Sequence, residues 1–179
     1  AIEASSMVLE EQPDLVTVLV PRHPERIPEI EATISEHDRS SVRFSDFKPG
    51  DALDILIIDT IGLLARLYEI APVSFIGGSM NLGLGGHNLF EAIRARSAVI
   101  HGPDMANFSE VTAKLNAMDA AIEIASPNEL KQALFALAKN RDQRLAMVDA
   151  AQTLADQDKQ SRDFVITTVQ HLLTSAKNE

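Results

Sequence analysis

Apolar positions along the chain alternate between short continuous runs and stretches spaced three and four apart, and that alternation predicts the elements. Residues 1–11 set Ile2, Met7 and Leu9 among Glu3, Glu10 and Glu11, a helical pattern with nothing like a cap before Ile2. The chain is therefore expected to begin inside a helix, with further sequence upstream of Ala1. Pro13 and Asp14 break that pattern. Leu15 to Val20 is a continuous, β-branched apolar run, which predicts a strand buried on both faces. Residues 25–37 read as an amphipathic helix, Val42 to Phe44 as a short strand, and Lys48-Pro49-Gly50-Asp51 as a turn. Leu53 to Ile58 is a second apolar strand. Leu63, Leu64, Leu67 and Ile70 then fall at helical spacing. Val73 to Ile76 predicts a strand, Leu89 to Arg96 a helix, and Ala98 to Ile100 another strand. Phe108, Val111, Leu115 and Met118 mark a helix, Ala121 to Ile124 a last short strand, and Leu130, Leu134 and Leu137 a further helix. Residues 141–176 read as polar helices rich in Asp, Gln and Ala.

Three of the helix starts share one local pattern. Asn88 precedes Glu91, Asn107 precedes Glu110 and Ser126 precedes Glu129 by three residues. Each spacing is that of a capping box, in which the two side chains satisfy each other's free amides. Strands alternating with helices predict an α/β fold, a Rossmann-like three-layer α/β/α domain with a mainly parallel sheet. In such sheets ligands bind beyond the carboxyl ends of the strands.

Three features fall at strand ends and are expected to converge on one crevice. The first is Pro21-Arg22-His23-Pro24-Glu25-Arg26, a proline-stiffened turn with three basic groups. It is either a solvated loop or an anion clamp with Arg22 as the fork. The second is Gly77-Gly78-Ser79-Met80-Asn81-Leu82-Gly83-Leu84-Gly85-Gly86-His87-Asn88. Glycines here let backbone approach a ligand, and a helix start at Asn88 would favour an anion such as a nucleotide phosphate. The spacing fits neither the P-loop nor the dinucleotide fingerprint, so a plain connection also satisfies it. The third is Gly102-Pro103.

Composition narrows the partners. The 179 residues suit one domain or slightly more, and 45% apolar residues suffice for a core. Cysteine is absent, which excludes disulfides and thiolate metal sites; no cofactor or metal is expected. A net charge of −10 argues against broad contact with nucleic acid or anionic lipid. A small anionic ligand needs only a local positive pocket. Tryptophan is absent and aromatics are 4%, which removes base-stacking platforms. No apolar run has transmembrane length.

Several segments together resemble one family. They are Val20-Pro21-Arg22-His23-Pro24-Glu25-Arg26, Asp59-Thr60-Ile61-Gly62, Leu67-Tyr68, Phe75-Ile76-Gly77-Gly78-Ser79, Gly85-Gly86-His87-Asn88 with Glu91, and Gly102-Pro103 with Asn107-Phe108 and Glu110. In this order, over roughly residues 1–125, they resemble the C-terminal half of 3-deoxy-D-manno-octulosonic acid (Kdo) transferases. The resemblance implies a GT-B glycosyltransferase whose C-terminal domain binds the donor, CMP-Kdo. The N-terminal domain would bind the lipid A precursor and carry the catalytic carboxylate, so this chain alone is expected to be inactive. The domain's own first strand is expected upstream of Ala1. The resemblance places Arg22 on donor phosphate, Gly62, Gly78, Ser79, Gly85, Gly86 and Asn88 around the phosphate and sugar, and Glu91 on the ribose hydroxyls. It further implies lipopolysaccharide synthesis at the cytoplasmic side of the bacterial inner membrane. Residues 1–157 would form the donor domain. Residues 158–179 would form a helix crossing to the other domain, whose apolar stripe invites self-association of the chain alone.

The chain departs from the family at three places. Gly62-Leu63-Leu64 stands where the family has Gly-Glu-Leu, which puts base recognition at that turn in question. Asn88-Leu89-Phe90-Glu91-Ala92 replaces Asn-Pro-Leu-Glu-Pro but keeps the Asn and the Glu. Residues 80–84 lack the basic residue often found there, so a sugar carboxylate must be held less strongly or from elsewhere. For Glu91 the cap and the ligand contact remain alternatives. Two other functions also remain: another GT-B donor domain using a UDP-sugar, and a nucleotide-binding module without chemistry.

Overall fold

The computed structural model describes residues 1–80 and 83–156. The elements run α1 (Ile2–Glu11), β1 (Thr17–Leu19), α2 (Ile27–Glu36), β2 (Ser41–Arg43), β3 (Ile55–Ile57), α3 (Leu64–Ile70), β4 (Val73–Ile76), α4 (Phe90–Arg94), β5 (Ala98–His101), α5 (Ser109–Ala117), β6 (Ala121–Glu123) and α6 (Pro127–Lys139). Residues 141–156 are helical and are labelled α7. The expected crossing helix and its apolar residues Phe164, Val165, Val169, Leu172 and Leu173 lie outside the described residues.

All strand pairings are parallel, as alternating strands and helices require. They form two three-stranded sheets, ordered β1-β3-β2 and β4-β5-β6. Helices connect the parallel strands except between β2 and β3, which are joined by residues 44–54 without one. Leu9, Ile27, Ile34, Ile55 and Ile57 form the core of the first sheet. Two larger clusters flank the second: Ile76, Leu89, Ile93, Val99 and Leu115 belong to one, and Ile100, Ile124, Leu130, Leu137 and Val148 to the other. Helix α1 reaches both sheets. Its Leu9 sits in the first core and its Ala4 in the second.

Two expectations need correction. The run from Leu15 to Val20 is not buried on both faces: Val16 is 52% exposed, and Val18 and Val20 are also exposed. Among the described residues β1 pairs only with β3, so it is a sheet edge. An unbroken apolar run does not distinguish an edge strand from a central one. The capping boxes also hold only once. Ser126 Oγ accepts from Glu129 N–H at 3.2 Å while Glu129 Oε2 accepts from Ala125 N–H at 2.8 Å. Helices α4 and α5 start without side-chain caps, at Phe90 and Ser109.

Candidate functional site

Strand β4 ends at Ile76, turns at Gly77 and Gly78, and the chain returns through Gly83 to Gly86. Backbone bonds fix the return: Gly86 N–H donates to Gly78 O at 3.1 Å and His87 N–H to Gly77 O at 3.0 Å. The His87 ring then lies against the turn. A Cβ on Gly77 would sit 3.2 Å from its Nδ1, and one on Gly78 3.0 Å from its Nε2. Gly78 also has φ +70°, so glycine is needed there twice over.

The segment after β5 forms the other wall of the loop. Asp104 Oδ2 accepts from Leu84 N–H at 3.1 Å and from Gly85 N–H at 3.0 Å. These bonds, led by that of Gly85, hold the Asp104 carboxyl below the usual carboxylate range. Asn107 N–H donates to Gly85 O at 3.0 Å, and its side-chain amide donates to Leu84 O at 3.2 Å. Approach is so close that a Cβ on Gly85 would meet Asn107 Nδ2 at 2.5 Å, and one on Gly86 would meet Met105 Sδ at 2.2 Å. Asn107 is thus a loop clamp, which is why it does not cap α5.

This wall corrects the picture of a backbone cradle. The amides of Leu84, Gly85, Gly86 and His87 are all committed to internal acceptors. Asp104 occupies the place an anion would take. Helix α4 has only five residues, so its dipole adds little. The glycines therefore shape the crevice, and side chains must supply its polar contacts.

The expected site residues fall into three groups. Ser79 is fully buried; its hydroxyl donates to Ile76 O at 2.6 Å and accepts from Gly102 N–H at 2.8 Å, which ties the ends of β4 and β5 together. Gly85 and Gly86 are buried and Gly78 lies half-buried against His87. Arg22, Asn88 and Glu91 are exposed and available to a ligand. Asn88 Oδ1 accepts from Phe90 N–H at 3.0 Å, a local turn rather than a box with Glu91. Gly62, at φ +92°, makes an exposed turn after β3, and a Cβ there would have nothing within 4 Å. An apolar groove lined by Phe44, Leu63, Arg66, Leu67 and Ile70 borders that turn, away from the glycine loop.

The His87 imidazole is pushed below its ordinary value first by burial, then by the positive charges of Arg22 and His23. Arg22 and His23, at the end of β1, are thus near enough to His87 for their charges to act on it. On the other side, burial raises the Tyr68 phenol, with the Glu91 carboxylate adding to the shift. Sequence reasoning does not pick out His87, Asp104 or Tyr68 as site residues, although His87 and Tyr68 lie inside the family-like segments. Among the described residues no cluster of three potential ligands could hold a metal ion.

Comparison with known proteins decides among the readings. A Kdo transferase of Chlamydophila psittaci is 31% identical over 157 residues, 88% of this chain. Another, of Rickettsia bellii, is 36% identical over 118 residues, 65% of this chain. The chain is homologous to the Kdo transferases. It spans 36% and 28% of the lengths of these two relatives. Among solved structures, the C-terminal CMP-Kdo binding domain of WaaA from Acinetobacter baumannii superposes with a TM-score of 0.80 at 24% identity, covering 86% of this chain and 80% of that one. The C-terminal domain of the group 1 glycosyltransferase LpcC from Francisella tularensis gives 0.65 at 19% identity, covering 87% and 75%. The fold is thus the parallel-stranded, Rossmann-like α/β fold that these C-terminal domains share, and the alternating elements predicted an α/β fold with a mainly parallel sheet. No family model matches the chain.

Proposed function

We propose that this chain is the CMP-Kdo-binding domain of a Kdo transferase acting in lipopolysaccharide synthesis. The observation that carries the reading is the His87 imidazole packed on the glycine turn of Gly77 and Gly78, with the Arg22 charge near enough to act on it. A nucleotide-sugar with a phosphate and a sugar carboxylate presents two anions to such a crevice. An arginine fork suits phosphate, because charge-assisted and bidentate bonds are the strong ones. A nearby anion would raise the His87 value that burial and the neighbouring positive charges hold down. His87 is the candidate for the cation absent from residues 80–84. Glu91, which forms neither cap nor ion pair among the described residues, is free to accept from a ribose diol beside Tyr68. Ser79 supports these groups from beneath rather than touching the donor.

In this reading the acceptor is a lipid A precursor held by an N-terminal domain, and the full enzyme works at the inner membrane. No described helix is long and apolar enough to cross a membrane, so such association would rest on the rest of the protein. A general base must lie within hydrogen-bond reach of the acceptor hydroxyl. None is assigned here, and the chain alone should transfer no Kdo. Calorimetric titration with CMP and with UDP tests the reading. CMP should bind and UDP should bind clearly more weakly. Arg22→Ala should weaken CMP about tenfold, one charge-assisted bond's worth. Equal binding of UDP would move the chain to a UDP-sugar enzyme.

A further inference from the structure

We infer that Asp104 and Asn107 are positioning residues of the donor site, holding the glycine loop so that His87 and Asn88 face the ligand. The inference rests on the donor-binding reading above. Neither side chain needs to touch the donor. Asp104 Oδ2 takes the amides of Leu84 and Gly85 together, and the Asp104 N–H donates to Ser79 O at 2.8 Å. Asn107 takes the opposite backbone groups, with its N–H on Gly85 O and its side-chain amide on Leu84 O. Residues 84 and 85 are therefore gripped through both donors and acceptors. The next two residues, Gly86 and His87, are fixed by their amide bonds to Gly78 and Gly77, and Gly86 O also accepts from the Asn107 side-chain amide at 3.5 Å.

A loop of glycines is costly to order, because glycine loses the most backbone freedom on folding. Gly83, Gly85 and Gly86 all hold positive φ. Without the clamp their conformations would spread, and the His87 ring would leave the face of Gly77 and Gly78. The clamp is also selective in geometry. Both bonds to Asp104 end on one oxygen, so an asparagine amide oxygen can keep their geometry, though without the charge assistance of the carboxylate.

This predicts a specific pattern among three variants of the full chain. Asp104→Ala and Asn107→Ala should each weaken CMP binding about tenfold, the scale on which lost supporting contacts act at other sites. Asp104→Asn should bind CMP within about threefold of the parent, because its oxygen keeps both bonds. In nitrogen-15 spectra without ligand, Asp104→Ala should shift the amides of Leu84 and Gly85 and the ring nitrogens of His87, while Asp104→Asn leaves them near the parent positions. Spectra and calorimetry on Asn107→Ala keep the test open if Asp104→Ala does not fold. Shifted amides with unchanged CMP affinity would overturn the positioning role. So would a parent-like His87 ring in both alanine variants. A parent that binds neither CMP nor UDP would instead remove the donor reading, and the positioning role with it.

Discussion

Ser79 and Gly102 lock the ends of two neighbouring strands: Gly102 N–H donates to Ser79 Oγ at 2.8 Å, and a Cβ on Gly102 would fall 2.2 Å from Ser79 O. The contact is fully buried. Ser79→Ala strands the Gly102 amide, at about 1–3 kcal/mol for an unsatisfied buried group. Gly102→Ala should cost more, since the obstructing atom is backbone. Urea unfolding of the two variants measures both losses. The stability loss of Ser79→Ala should exceed its loss of CMP affinity; the reverse would return Ser79 to direct donor contact.

Glu91→Gln separates the cap from the ligand contact. Helix α4 has no side-chain cap, so the thermal midpoint should barely move. A ribose diol would exchange an ionised acceptor for a neutral one, a loss of about 1–2 kcal/mol, or roughly five- to thirtyfold in affinity. A melt and a titration on the same sample read both. Parent-like CMP binding would end the ribose assignment.

Ser126 should matter to its helix as Asn107 does not. Its reciprocal box with Glu129 satisfies the amides of Ala125 and Glu129. Ser126→Ala should lower unfolding free energy by about 1 kcal/mol. Asn107→Ala should leave the helicity of α5 unchanged by circular dichroism, because its side chain bonds the glycine loop instead.

Acid should loosen the first sheet through Glu31. Arg43 donates to Glu31 from Nε at 2.6 Å and from Nη2 at 2.7 Å, joining α2 to β2. That hydrogen bonding holds the Glu31 carboxyl below its ordinary 4.5. A folded value below the unfolded one contributes stability above the unfolded pKa and loses it as pH falls through the folded one. Glu31→Gln should therefore be less stable than the parent at neutral pH. The difference should shrink as pH falls from about 4.5 through the depressed value, by thermal melts across that range. A gap independent of pH would assign the effect to packing.

Element order was legible because period and length differ between strand and helix. What stayed hidden depends on what lies opposite a residue. The valines of β1 look like a core strand until their single neighbour β3 is known. Asn107 sits three residues before Glu110 and looks like a cap, yet the glycine loop comes within its reach and claims it. Asp104 gives no local signal, since its partners lie about twenty residues earlier. Helices α2, α4 and α5 give way to Asp38, Arg96 and Asp119 at positive φ, where a sequence reader looks for glycine. Arg22 and Glu91 stand out in the sequence because short family motifs carry them.

The unequal cores on either side of α1 divide the molecule's resistance to opening. Among the described residues the first sheet rests on a cluster of five buried residues, whereas the second is held by two larger clusters. Local opening follows buried apolar contact, so deuterium should enter the amides of Leu19 and Ile57 before those of Ile76 and Ile100. The proposed donor site would straddle this divide, with Arg22 at the end of a strand of the first sheet and His87 and Asn88 after a strand of the second. A nucleotide spanning both would act as a clasp between them. Its binding should slow deuterium uptake most in β1 and β3, so the first sheet would register the occupancy of a loop that belongs to the second.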